Sequence, residues 1–184
     1  ATAARGGVLM VPAFAVGRAQ LMLLALARAQ ESGMGRGVPV YLNSPMAIDV
    51  TSLYDRYEAY HRLTAGAARE AFTRAAYVHT VEQSKALNER RGPMVLVAGA
   101  GMLVGGRILH HLKAFGPDDR NTLLLTGYQA PGTRGAALLG GARSMRIHGH
   151  DVPFRAGLET VDGLSAHGDR GDLLAWLAAA PSPP

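Results

Sequence analysis

The sequence predicts an α/β fold, a mostly parallel sheet flanked by helices with a partial β-rich segment after it. Three observations carry this. A short apolar run, a Gly/Ser/Pro loop and a helix-like stretch recur in that order about five times, the rhythm of parallel strands joined by helical crossovers. The apolar runs do not alternate with polar residues, as strands covered on both faces should not. Past residue 140 the spacing tightens to short strands with turn residues between them. Residues 1–140 are therefore read as one unit and residues 141–184 as part of a second, whose remainder lies outside this segment.

The elements follow in order. Gly7–Pro12 (GVLMVP) reads as a buried strand and Arg18–Ser32 as a helix with a Leu/Met/Ala face. Val38–Leu42 is the second strand. Ser44 before Pro45 is an N-cap followed by proline at the first helical position, and that helix is expected to run to about His61. Ala67–Ala75 is helical, Tyr77–Thr80 a weak strand and Glu82–Arg90 a polar helix. Met94–Ala98 (MVLVA) is a strand, Gly99–Gly106 a glycine-rich loop and Arg107–Phe115 a helix. Asn121–Thr126 is a strand, Tyr128–Gly135 a loop and Ala136–Leu139 a short helix. Ser144–His148, Val152–Ala156 and Leu158–Asp162 are strands, with Gly149–His150 a hairpin turn. The helix Asp172–Ala179 closes the pattern before PSPP.

Composition narrows the function classes. Nearly half of the residues are apolar and 18% are charged, the balance of a globular protein rather than a disordered one. No cysteine is present, which excludes disulfides and thiolate zinc sites. No apolar run reaches the length of a membrane span and the start lacks a secretion-signal layout, so a cytoplasmic location and no membrane partner are expected. The formal charge of +5 fits a polyanionic partner, although Arg-rich chains are often basic without binding nucleic acid.

In an open parallel sheet, ligands bind beyond the carboxyl ends of the strands. Four loops fall there: Ala13–Arg18 (AFAVGR), Asn43–Met46 (NSPM), Gly99–Gly106 (GAGMLVGG) and Tyr128–Gly135 (YQAPGTRG). Each offers small residues with open backbone N–H groups, and Arg18 and Arg134 add guanidinium forks, the equipment of a phosphate cradle. Any α/β protein has glycines at such turns, so one loop alone decides nothing. GAGMLVGG by itself fits either a degenerate dinucleotide loop or close packing. Arg143, Arg146 and Arg155 on the late strands read as surface charge.

Of the seven histidines, His110 and His111 sit in a helix, one facing solvent and one packed. His61 and His79 have no companions, and His148 and His150 flank a turn. None is at metal-ligand spacing with a carboxylate. His167 stands apart in Ser165-Ala166-His167-Gly168-Asp169, between a strand and a helix, where small neighbours let its ring project. Asp169 either orients that ring or caps the next helix.

Taken together, VPAFAVGRAQ at Val11–Gln20, YLNSPMA at Tyr41–Ala47, VAGAGMLVGGRILHHL at Val97–Leu112, GYQAPGTRG at Gly127–Gly135 and LSAHGD at Leu164–Asp169 resemble the beta-CASP family. These are metallo-β-lactamase-fold ribonucleases that include the ribonuclease J-like and cleavage and polyadenylation specificity factor-like proteins. The resemblance runs from Gly7 to about Leu177, and the bacterial RNA-processing members look most similar. It implies a beta-CASP domain over 1–140 and a partial metallo-β-lactamase segment over 141–184. His167 matches the family's SAHxD histidine, which contacts the scissile phosphate or assists protonation of the leaving group, with Asp169 at its shoulder. Arg18, Ser44, Gly101, Met102, Thr133, Arg134 and Ser165 match loops that line the RNA groove.

The resemblance also implies zinc, two ions in the full-length parent and none bound by this segment alone. The His-x-His-x-Asp-His motif is not in the sequence, and its ligands are expected on an amino-terminal metallo-β-lactamase domain outside it. That domain, single-stranded RNA and a second copy of the protein are the implied partners. Asn43 stands where the family often carries aspartate. With few aromatic residues, phosphate contact is expected to outweigh base stacking. The expected activity is hydrolysis of phosphodiester bonds in single-stranded RNA by the parent, with the segment alone inactive. Two alternatives differ in class. A non-catalytic RNA-binding or RNA-processing subunit would be expected to have lost the SAHGD histidine. A nucleotide-binding α/β enzyme would want an acidic residue ending the strand after GAGMLVGG, and NTLLLTGY offers none.

Overall fold

The computed structural model describes residues 1–63, 66–164 and 167–180. After a 3-10 turn at Ala3–Arg5 come β1 (Val8–Pro12), α1 (Arg18–Glu31), β2 (Val40–Asn43), α2 (Pro45–Arg56), α3 (Ala67–Thr73) and β3 (Ala75–Tyr77). Then follow α4 (Val81–Glu89), β4 (Met94–Ala98), α5 (Ile108–Phe115), β5 (Thr122–Leu125) and α6 (Arg134–Leu139). Strands β6 (Ser144–Ile147), β7 (His150–Pro153) and β8 (Gly157–Thr160) lead to α7 (Arg170–Ala179). Six strands form one sheet in the order β3-β2-β4-β1-β5-β8, every neighbouring pair parallel. All six carboxyl ends therefore share one edge.

The unbroken apolar runs follow from cores on both faces of the sheet. Along β1 and β4, Met10, Met94, Leu96 and Ala98 enter a core with Ile108 and Leu112 of α5. The intervening Val11, Val95 and Val97 enter the opposite core with Leu23 of α1, Ile48 of α2 and Phe72 of α3. Successive strand residues point to opposite faces, so helices on both sides demand apolar residues at every position. Each such side chain contributes about 1.5–3 kcal/mol when removed from water.

Where boundaries depart from the sequence-based expectation, local chemistry explains the shift. The third strand is Ala75–Tyr77, because Thr80 is committed to capping α4. The Thr80 hydroxyl accepts from Gln83 N at 3.1 Å, and the Gln83 side chain accepts from Thr80 N at 3.1 Å, a reciprocal capping box. Helix α2 stops at Arg56, since Tyr57 (φ −116°, ψ 53°) leaves helical geometry, and a 3-10 turn at Glu58–Tyr60 follows.

The β6–β7 hairpin turns at His148 and Gly149, one residue earlier than expected. Ile147 pairs with His150, and the two residues between have φ of 49° and 82°. Two positive φ values in a two-residue loop are what the right-handed twist of the flanking strands requires. Met145, Ile147 and Val152 of the hairpin join the α5-side core. Strand β8 then returns to the main sheet, with Thr122–Leu125 in register with Gly157–Thr160. It thereby brings the loop after β8 beside the loops after β1 and β5.

Candidate functional site

A groove of about 930 Å³ opens over the carboxyl ends of β1, β5 and β8, reaching Pro12, Leu125 and Thr160. Its walls are the loops after β1, β4, β5 and β8. Of the residues predicted from sequence, Arg18, Gly101, Met102 and His167 line it. The sheet edge thus brings together side chains separated by up to 149 positions, from 18 to 167.

Arg18 links two walls. Its Nη2 donates to the carbonyl oxygen of Leu164 at 2.5 Å, tying the loop after β1 to the loop that carries His167. Its Nη1 is buried and, among the described residues, has no hydrogen-bond partner. A buried guanidinium nitrogen in that state costs stability unless an acceptor arrives. Gln129 ties the other two walls, its Nε2 donating to Gly101 O at 3.1 Å and to Gly127 O at 2.9 Å.

The remaining predicted residues shape loops outside the groove lining. Ser44 caps α2, accepting from Ala47 N at 3.3 Å. Thr133 caps α6, accepting from Ala136 N at 3.2 Å. Arg134 donates from Nε to Arg146 O at 2.8 Å and from Nη1 to Leu103 O at 3.0 Å, so it fastens α6 to β6 and to the loop after β4. Asp169 caps α7, accepting from Asp172 N at 2.9 Å, while the Asp172 carboxylate accepts from Asp169 N at 3.0 Å. Ser165 lies outside the described residues.

Sequence reasoning missed Phe14, Tyr128, Gln129 and Asp162, all of which line the groove. Phe14 and Tyr128 are 47% and 72% exposed. Phe14 lies on the Gly101 backbone, where an added Cβ would meet its ring carbons at 2.9 Å. The available signal was an aromatic residue in two of the four strand-end loops, Phe14 after β1 and Tyr128 after β5, which a search for N–H groups and arginines passes over.

For zinc, the described residues do not suffice. No three His, Asp or Glu side chains among them converge to hold a metal ion, whereas a catalytic zinc needs three protein ligands.

Comparison with known proteins shows the family. The Beta-Casp domain matches residues 19–138, and the Zn-dependent metallo-hydrolase RNA specificity domain matches residues 151–184. The chain belongs to the beta-CASP family. It is 43% identical to Ribonuclease TTHA0252 of Thermus thermophilus over 98% of the chain and 43% of that protein. It is 32% identical to the RNase J-like protein of Methanocaldococcus jannaschii over 99% of the chain and 42% of that protein. It is 31% identical to Transcription termination factor FttA of Methanosarcina mazei, covering 96% of the chain and 29% of that protein. The chain thus spans less than half the length of these relatives.

In this beta-CASP chain a buried polar network lies at the carboxyl end of β2. Asn43 is fully buried. Its Nδ2 lies 2.8 Å from Ser84 Oγ and 2.6 Å from His111 Nε2, and its Oδ1 accepts from Arg107 Nη1 at 2.7 Å. The arginine, which can only donate, fixes which end of the amide is oxygen. Asn43 therefore donates to His111 Nε2, and the ring proton sits on Nδ1, facing Asn88 Oδ1 at 2.6 Å. Burial, then the neighbouring His110 and Arg107, push His111 down to about 4 from an ordinary 6.5. His111 is thus the packed member of the helix pair and His110 the exposed one.

Proposed function

We propose that this chain is the RNA-facing portion of a zinc-dependent ribonuclease that hydrolyses phosphodiester bonds in single-stranded RNA. In this reading residues 1–140 form the RNA-specificity domain and residues 141–184 begin the return to a metallo-β-lactamase domain. That domain, carried elsewhere in the parent protein, supplies the zinc ligands. The observation that carries the reading is the convergence of Arg18, Gly101, Met102 and His167 on one groove at the carboxyl edge of the sheet. That edge is where open parallel sheets bind their ligands.

In this reading His167 hydrogen-bonds the reacting phosphate or gives a proton to the leaving oxygen, work that a positioned imidazole does at neutral pH. Arg18 fixes the loop that carries it. Gly101 and Met102 form the facing wall. Ser44, Thr133 and Arg134 set the loop shapes around the groove, Ser165 belongs to the histidine's loop, and Asp169 holds that loop to the start of α7. Zinc supplies, when bound in the parent, Lewis-acid activation of water and of the phosphate.

The test compares the full-length parent with the 184-residue chain. The parent is expected to cleave single-stranded RNA, to lose that activity to a chelator and to recover it with zinc. The chain alone is expected to fold, to carry no stoichiometric zinc and to cleave nothing. About two zinc ions per chain in elemental analysis of the segment would defeat the split-site reading.

A further inference from the structure

The groove is apolar and electrically balanced. Among its described lining residues, Arg18 is the one Lys or Arg and Asp162 the one carboxylate. Arg18 gives Nη2 to Leu164 and its Nη1 is buried away from the groove's open face, and Arg134 gives Nε and Nη1 to two carbonyl oxygens of residues that do not line the groove. A phosphate channel would instead present unspent cations, since affinity for the backbone comes from neutralising phosphates with Lys and Arg. The molecule's net charge of +5 is therefore carried largely off this surface.

What the groove does present is ring and hydrocarbon. Phe14, Val16, Leu21, Tyr128 and Leu139 are exposed large apolar side chains that line it. Among the described residues neither Phe14 nor Tyr128 stacks on another aromatic ring. Phe14 is nonetheless seated, because its ring rests on Gly101, where no side chain intervenes. Gln129 holds the Gly101 carbonyl from beneath. An exposed aromatic ring on a rigid seat at a strand end, in a groove of near-zero charge, suits a planar apolar face.

We propose that this groove takes nucleobases, with Phe14 and Tyr128 as stacking residues and Gln129 as the positioning residue beneath them. Apart from the reacting phosphate at His167, the phosphates of the strand lie outside it. This rests on the reading of the site as RNA-binding and reverses the expectation that phosphate contact dominates. Stacking is tolerant of base identity because every base has a π face, so the groove would select unpaired nucleotides without selecting sequence.

The experiment titrates the 184-residue chain with labelled oligoadenylate and with an abasic ribose-phosphate oligomer of equal length. Oligoadenylate is expected to bind more tightly than the abasic oligomer. Phe14→Ala or Tyr128→Ala is expected to weaken oligoadenylate roughly 5- to 150-fold, the range for one base–aromatic stack. The abasic oligomer and the salt slope should change little, and Phe14→Tyr and Tyr128→Phe should restore binding. A 2-aminopurine in the oligomer should be quenched by the unchanged chain and not by the double alanine variant. Thermal melts confirm that each variant is folded. Equal binding of both oligomers, with no effect of the alanine variants, overturns the base seat and leaves the RNA-binding reading standing. Variants that lower the melting temperature of the full-length parent without changing oligoadenylate affinity overturn it in favour of a polypeptide covering the groove. Absence of binding to either oligomer overturns both proposals.

Discussion

Arg18 Nη2 donates to the Leu164 carbonyl at 2.5 Å, and this bond joins the first loop of the sheet edge to the last. It spans 146 residues of sequence and sets the approach of the loop bearing His167. Arg18→Ala removes a charge-assisted bond, a class worth about 1.5–3 kcal/mol, with the lower end expected for a partly exposed side chain. The loop over residues 161–169 should then be cut faster in limited proteolysis while the rest of the chain keeps its protection. Arg18→Lys should recover little, because a single ammonium cannot reproduce the planar fork.

His111 predicts an acid limit to stability. Its folded-state pKa of about 4 lies below the ordinary 6.5, so the unfolded chain binds a proton that the folded chain refuses. The stabilisation is complete above pH 6.5, declines as pH falls and is gone below about 4. The amount at stake is up to about 3 kcal/mol. Urea melts between pH 7 and 4 should show it, and Asn43→Asp should reduce it. A carboxylate beside the ring favours the imidazolium and raises the His111 pKa, which nuclear magnetic resonance titration of the ring protons measures directly.

Gly101→Ala tests the seat of Phe14. The new Cβ would stand 2.9 Å from the ring carbons, so the ring must swing away. Overpacking typically costs about 1–3 kcal/mol, and here the ring can move toward solvent, which favours the low end. RNA affinity is expected to fall by more than this modest loss in melting temperature suggests.

Arg134 separates a structural fastening from a phosphate clamp. With both of its contacts made to carbonyl oxygens, Arg134→Ala should lower the melting temperature and leave the salt dependence of RNA binding unchanged. A shallower slope, by about 0.7 log units per lost contact with single-stranded RNA, would return Arg134 to the phosphate-binding set.

The sheet was legible where its causes are local. MVLVA at Met94–Ala98 is apolar at every position because both faces are covered, and Ser44-Pro45 announced the start of α2. The third strand was misplaced because Val78–Thr80 is as strand-like as Ala75–Tyr77, and the capping box that claims Thr80 requires the Gln83 side chain to fold back. The return of β8 to the side of β5 is a choice of partner across the fold, invisible in a four-residue strand. At the site, arginines and glycines were legible as residue types, but their partners were not. Nothing local says that Arg134 spends its donors on Arg146 and Leu103, or that Phe14 rests on Gly101 from across β1 and β4. The Asn43–His111 bond likewise joins residues 68 apart.

His167 carries the central claim. In the full-length parent, single-turnover cleavage of single-stranded RNA by His167→Ala should be slower by about 10²–10⁴-fold, the usual worth of a positioned acid–base group. RNA affinity should stay nearly unchanged, and stability should move by no more than about 0.5 kcal/mol, because His167 lines the groove and is exposed. A lowered melting temperature with the cleavage rate per folded molecule preserved would contradict this account.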